Sequence, residues 1–179
     1  MLIQQLIQEL DAITKEVQDS FGNMNHEELN LKTSPDRWSI AQNLDHLICI
    51  NETYFPIFDA LKNGTYSRPF LGNFRFITSF FGNMIYKMSS PEHTKPIKTM
   101  SIWEPSISDI HDVIQAFVRH QEQLKQQISG LEQCIASGSV IASPANSMIV
   151  YTLEQALNII VVHEKRHILQ AKKVFSKLI

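Results

Sequence analysis

Apolar residues recur at steps of three and four along nearly the whole chain, the spacing of an amphipathic helix. The pattern predicts a first helix over residues 2–21, ended by the glycine that follows. It predicts a second helix over residues 40–63, which starts at a capping box formed by Ser39 and Gln42. Pro56 interrupts this second stripe, so we expect a kink or an early end there.

Two more long helices are predicted in the second half of the chain. The third opens at Ser106, with Asp109 at its third position, and its apolar stripe continues to residue 131. The fourth opens at Thr152, which forms a second capping box with Gln155. Residues 138–150, before it, are the one stretch where a short strand is compatible with the pattern. Four long amphipathic helices favour an all-α fold, a four-helix bundle.

The connection between the second and third helices differs from the rest. Proline and glycine breaks within residues 65–105 surround one predicted helix, whose apolar side carries Phe74, Ile77, Phe81, Met84, Ile85 and Met88. Residues 62–98 contain six basic residues, one acidic residue and seven aromatic residues. A connection this long is often functional. Three roles stay open: a helix packed across the bundle, a lid whose cations hold an anionic substrate, or a nucleic-acid patch.

Composition narrows the class of protein. The chain has 179 residues, 44% of them hydrophobic, and a formal net charge of −2. This length predicts a single domain over residues 1–179. The small charge excludes a globally basic nucleic-acid binder, and we expect no nucleic-acid partner. No apolar run approaches the ~18 residues of a membrane span, and the first residues lack a signal peptide's basic region. Cys49 and Cys134 give no disulfide framework, so we expect a cytoplasmic protein.

The sharpest chemical pattern is a histidine pair, His163 and His167. Residues four apart lie on one helix face, so both imidazoles can reach one metal ion. The intervening Glu164 completes the letters H-E-x-x-H of zinc proteases. We reject that reading because no ligand residue type follows the pair. Glu164-x-x-His167 also matches half of a di-iron bundle site, but the second copy that such a site needs is missing.

A third metal ligand would therefore come from upstream. The residues alone leave several candidates open: His26, His46, His93, His111 and His120. We expect His111 and His120 to be solvated or half-buried. His46 points more than about 120° away from the apolar stripe of its helix, so either that helix is buried on two sides or His46 lies on the surface.

The segment 37–47, Arg-Trp-Ser-Ile-Ala-Gln-Asn-Leu-Asp-His-Leu, resembles the Trp-Ser-x(n)-His-Leu signature of the DinB-like family. The C-terminal histidine pair is similar to that family's second signature. The resemblance covers essentially the whole chain. It implies a four-helix bundle with a long crossover segment, holding an extra short helix, between helices 2 and 3. It also implies one divalent metal ion, zinc, nickel or iron, on His46, His163 and His167.

The resemblance further implies a metal-dependent enzyme acting on a small electrophilic substrate. Family members include transferases that use low-molecular-weight thiols such as bacillithiol, and metal-dependent hydrolases. Three histidines leave a coordination position open, where a thiol or water would lose its proton. Glu164 is the candidate general base. The alternative is a non-catalytic metal-binding or stress-response bundle. Bundles of this size often pair through helix faces, so we expect a homodimer.

Overall fold

The computed structural model describes residues 2–95, 99–105 and 109–176. The helices are α1 (Leu2–Phe21), α2 (His26–Asn30), α3 (Ile40–Glu52), α4 (Phe55–Lys62), α5 (Arg75–Ser89), α6 (Val113–Ile128), α7 (Glu132–Ala136) and α8 (Leu153–Phe175). The strands β1 (Val140–Ser143) and β2 (Asn146–Thr152) precede α8, and short 3-10 turns span Phe70–Asn73 and Ser101–Trp103.

Four long helices form the bundle. Helices α1 and α3 each pack against both α6 and α8, so the four close into a ring around one apolar core. Their inward positions are the predicted stripes; Leu10, Val17, Phe117, Leu124 and Leu157 are all buried. Helix α5 lies outside this ring, against α8 and β2. The predicted four-helix bundle is confirmed, and the position of α5 is consistent with the further helix predicted in the long crossover.

Local sequence signals set the ends of the two helices that carry the histidines. Ser39 accepts a hydrogen bond from the Gln42 N–H, and Thr152 accepts one from the Gln155 N–H, so both predicted capping boxes are present. The predicted early end of the second stripe is also confirmed. Helix α3 stops at Glu52, and α4 restarts at Phe55 with Pro56 in its first turn, where a proline's missing N–H costs nothing.

The third long helix, α6, begins later than predicted. Ser106 lies outside the described residues, but Asp109 is not helical and α6 begins only at Val113. The Asn30 side chain bonds both the N–H and the carbonyl of Ile110, at 2.9 and 3.0 Å, and so holds this backbone against α2. Asp112 then takes a left-handed conformation with φ 49°, which delays the helix. Helix α6 also ends earlier than predicted, at Ile128.

The region before α8 forms a β-hairpin that starts in the stretch 138–150, which the pattern left open for a strand, and extends two residues beyond it. Strands β1 and β2 are antiparallel, with Ile141 opposite Tyr151. The buried hydroxyls of Tyr151 and Tyr54 lie 2.8 Å apart, which ties the hairpin to the junction of α3 and α4. Within the described ranges, no helix has both the length and the apolar character needed to cross a membrane.

Candidate metal centre

Three histidines converge between α3 and α8. His46 comes from α3, His163 and His167 from α8, and their nearest ring nitrogens all lie within 4.8 Å of one another. His46 and His167 are buried, whereas His163 is partly accessible. Ligand nitrogens in a tetrahedral zinc site lie roughly 3.3 Å apart, so small side-chain movements would close this cluster on one ion.

Hydrogen bonds fix which nitrogen of two imidazoles faces the cluster. The Nδ1 of His46 lies 2.7 Å from the Trp103 carbonyl, which can only accept, so Nδ1 carries the proton. The Nδ1 of His167 lies 2.9 Å from Oδ1 of Asn43, whose own amide donates to the Ser39 carbonyl. Both Nε2 atoms therefore keep their lone pairs, as metal-bound histidines held by a second hydrogen bond do.

The burial of His46 resolves the orientation question raised by the sequence. Helix α3 is buried on two sides: His46 is 2% exposed, and Asn43 on the same side is buried as well. The Trp38 ring covers this side, with its centroid 4.8 Å from that of His46 and 5.7 Å from that of His167. The Trp38 ring and the Asn43 amide thus cover the imidazoles on this side.

The electrostatics of the cluster keep the imidazoles neutral. Burial lowers the pKa of His163 to about 3, with further lowering by His46 and by the Arg166 charge. Burial, His163 and His46 together hold the pKa of His167 well below its usual value. Burial also lowers the pKa of His46, although its bond to the Trp103 carbonyl opposes the shift. Neutral imidazoles are the form that binds a metal ion.

Glu164 lies apart from this cluster, on the side of α8 that faces the bundle interior. Its Oε1 accepts hydrogen bonds from Asn51 on α3, at 2.7 Å, and from Gln121 on α6, at 2.9 Å. Its Oε2 has no partner among the described residues. Burial raises the pKa of Glu164 to about 7, although the two amide hydrogen bonds lower it. Glu164 thus links α8 to two other helices of the bundle, α3 and α6, and does not belong to the histidine cluster.

Arg166 lies beside the histidines on α8, on the flank away from Glu164. At 100° per residue, Arg166 is roughly 60° around the helix from His163 in one direction, whereas Glu164 is 100° from His163 in the other direction. The residue is 8% exposed. Its guanidinium donates to the carbonyls of Met88 and Lys95, which fastens residues 88–95 to the helix that carries the histidine pair. Sequence reasoning missed this contact because backbone carbonyls carry no residue-type signal.

The remaining upstream histidines do not join the cluster. The expectation that His120 is solvated or half-buried is wrong, since it is 2% exposed and stacks on Phe55. His111 is exposed, as expected, and forms a surface group with His26 and Asp109. The His26 and His111 rings are stacked 4.2 Å apart at 7°, so their lone pairs lie in parallel planes and do not converge.

A family model for the DinB superfamily matches residues 9–171. The chain belongs to the DinB superfamily. No curated protein matches the sequence. Among solved structures, YfiT from Bacillus subtilis has a similar fold, with a TM-score of 0.67 and 16% sequence identity over 98% of this chain and 87% of that one. YfiT is described as a probable metal-dependent hydrolase with an unusual four-helix bundle topology. At this identity the likeness establishes the fold.

The donor set suits a divalent transition metal ion in this DinB protein. Three neutral imidazole nitrogens are typical ligands of zinc, nickel or iron, and none of the three histidines forms a salt bridge with a carboxylate in the described ranges. The arrangement of two imidazoles with bonded Nδ1 atoms supports a binding site over a set of core histidines.

Proposed function

We propose that this DinB protein is a metal-dependent enzyme, a thiol S-transferase or a hydrolase, that acts on a small electrophilic substrate. The observation that carries the proposal is the convergence of His46, His163 and His167, with the Nδ1 atoms of two of them held by hydrogen bonds. A divalent ion bound there lowers the pKa of a neighbouring water or thiol and so supplies a nucleophile at neutral pH.

The chain's own residues contribute orientation and exclusion of water. The Trp103 carbonyl and the Asn43 amide hold two imidazoles in the ligating orientation. Trp38 covers them on one side. The partly accessible His163 marks the side from which a substrate would approach. Three protein ligands leave a fourth position for that approach, as catalytic sites require.

The function is tested with protein loaded separately with zinc, nickel or iron. We expect a metal-dependent rate, either hydrolysis within an ester panel or loss of an electrophile that is accelerated by an added low-molecular-weight thiol. The His163→Ala variant should lose that rate, and the exposed His111→Ala variant should keep it. If no metal increases any rate above that of the metal-free protein, the enzyme proposal fails and the non-catalytic metal-binding bundle is favoured.

The general-base role of Glu164 stays a separate prediction. Positioned general bases contribute about 10²–10⁴-fold to a rate. If Glu164 acts so, Glu164→Gln should lower the metal-dependent rate by about 100-fold or more while the metal content is unchanged. An unchanged rate would leave Glu164 as the acceptor that joins Asn51 and Gln121.

A homodimer also stays a proposal. The outer face of α5 exposes Phe76 and Phe80, at 74% and 64%, and Phe70 beside it is 76% exposed. A second copy that covered this face would remove these rings from water. Light scattering should then give twice the 20.5 kDa chain mass, and a Phe76→Ser, Phe80→Ser variant should give the monomer mass. A monomer for the unchanged protein would contradict the proposal.

A further inference from the structure

Arg166 is a buried cation that forms no ion pair with an acidic residue in the part of the chain that the structure describes. Only 8% of the residue is exposed, yet none of the salt bridges in the described ranges involves it. Buried charges in proteins are normally paired, because removing an ion from water is costly. Glu164, the nearest acid along the helix, is held on the other flank by Asn51 and Gln121. Among residues 2–95, 99–105 and 109–176, the Arg166 charge therefore has no acidic partner.

Within the described ranges, the guanidinium has bonding capacity left over. It offers five N–H groups and donates there to two backbone carbonyls, those of Met88 and Lys95. A second unfilled donor lies in the segment that contacts the cluster. The indole N–H of Trp103 is buried without a partner in the described ranges, while the carbonyl of the same residue accepts from His46. Both unfilled groups are donors, so both call for an acceptor.

The position of this charge relates it to the histidine cluster. Arg166 lies between His163 and His167 in the sequence of α8, about 60° around the helix from His163, so its side chain leaves the helix on the flank of the cluster. A divalent ion on three neutral histidines would add to this positive charge, and no carboxylate belongs to the cluster. An anionic group would balance both. Arg suits a carboxylate especially well, because its planar fork matches the two oxygens.

We propose that Arg166 forms an anion subsite beside the histidine cluster, which selects a substrate or thiol that carries a carboxylate or a similar oxyanion. This inference rests on the proposed function and names its substrate class. In it Arg166 has two roles: it fastens residues 88–95 to α8, and its remaining N–H groups bind the anionic group. A residue that only fastened the segment would not distinguish a charged ligand from a neutral one of the same shape.

Malonate and its neutral isostere malonamide provide that distinction. Each is titrated by calorimetry into metal-free protein, because malonate itself chelates divalent ions and a bound ion would favour it over malonamide without any contribution from Arg166. We expect malonate to bind at least about tenfold more tightly than malonamide, as a charge-assisted contact requires. Arg166→Gln should remove that preference. The matched control is Lys165→Gln, an exposed neighbour of the same charge whose partner is Glu9; it should bind malonate as the unchanged protein does.

The Arg166→Lys variant keeps the proposal testable if Arg166→Gln fails to fold. It keeps the charge but loses the planar fork, so malonate should bind several-fold more weakly, while circular dichroism shows unchanged helix content. Equal binding of malonate and malonamide by the unchanged protein overturns the proposal. So does a result in which Lys165→Gln loses the preference for malonate and the Arg166 variants keep it. The metal-free titration separates the two claims. Arg166-dependent malonate binding without metal loading would support the subsite whatever the rates show, and the metal-dependent rates alone decide the proposed function.

Discussion

Asn43 shows how a single side chain can determine the chemistry of its neighbour. Its amide nitrogen donates to the Ser39 carbonyl at 2.8 Å, which leaves its oxygen facing Nδ1 of His167 at 2.9 Å. This arrangement selects the tautomer with a free Nε2. Asn43 lies one helical turn before His46, so the capping residue, the amide and the two imidazoles form one connected unit.

The first prediction follows from that unit. Asn43→Ala removes the acceptor that orients His167, so we expect the affinity for zinc to fall about 10- to 100-fold, the usual effect of losing such a partner. Competition with a chromophoric chelator measures the affinity. Asn158→Ala is the control, because the Asn158 amide donates to the Glu154 carbonyl on α8 rather than orienting a histidine. Unchanged zinc affinity in Asn43→Ala would contradict the orienting role.

His120 provides a prediction about pH. Burial lowers its pKa to about 4, and neither ring nitrogen has a hydrogen-bond partner in the described ranges, although a Glu52 carboxylate oxygen lies 4.0 Å from Nδ1. The unfolded chain takes up this proton near pH 6.5, whereas the folded chain does so only near pH 4. The neutral ring therefore contributes stability that is present above pH 6.5 and is lost as the pH falls towards 4.

Replacing this ring with leucine should flatten that dependence. At each pH we compare the free energy of unfolding of His120→Leu with that of the unchanged protein. We expect this difference to favour the variant by about 1 kcal/mol more at pH 5.5 than at pH 7.5. Urea unfolding at both pH values measures the difference, and His111→Leu, at an exposed position, is the control. An identical pH dependence in His120→Leu and the unchanged protein would refute this account of the buried ring.

At the scale of elements, α5 packs closely on α8 at Gly82. A Cβ built there would lie 2.3 Å from the Gln155 side-chain amide, which also completes the capping box at the start of α8. Gly82→Leu should therefore lower the free energy of unfolding by about 1–3 kcal/mol, the usual cost of overpacking. Asn83→Leu, on the exposed side of α5, should stay within about 0.5 kcal/mol. Equal values in urea unfolding would mean that α5 does not depend on this close contact.

Elements that carry their own signals were predictable from sequence, and those set by distant contacts were not. Capping boxes and apolar spacing predicted α1, α3 and α8, and they also predicted α5 within the crossover. The start of α6 depends on the Asn30 side chain, which is about 80 residues away in sequence and holds the Ile110 backbone outside a helix. Short α2 was missed, although Asn25 and Glu28 form a capping box that its sequence shows.

The same contrast applies to the site. The spacing of His163 and His167 indicated a shared ligand face, and the family resemblance supplied His46. The contacts of Arg166 and of the His46 ring go to backbone carbonyls, which no residue pattern reveals. The burial of His120 could have been found, because it lies three residues after Phe117 and four before Leu124 on the apolar face of α6.

At the scale of the whole molecule, the bundle brings α3 and α8 together so that residues more than a hundred positions apart form one site. Two parts of the crossover contact residues of, or next to, the histidine cluster. Residues 88–95 contact Arg166, and the 3-10 turn Ser101–Trp103 contacts His46. The C-terminal part of the long connection thus borders the histidines, while the middle of α5 presents its aromatic face outward. This placement favours a connection that encloses the site over one that merely spans the bundle.

The most direct test of the account is the metal content of tag-free protein, measured by elemental analysis after loading with zinc, nickel or iron and removal of excess metal. We expect about one ion per chain, as a single three-histidine site requires. The ion should be lost in His163→Ala and retained in His111→Ala, because His111 belongs to the separate surface group. A chain that retains no ion under any of these conditions, or one whose ion is lost in His111→Ala and kept in His163→Ala, would contradict it.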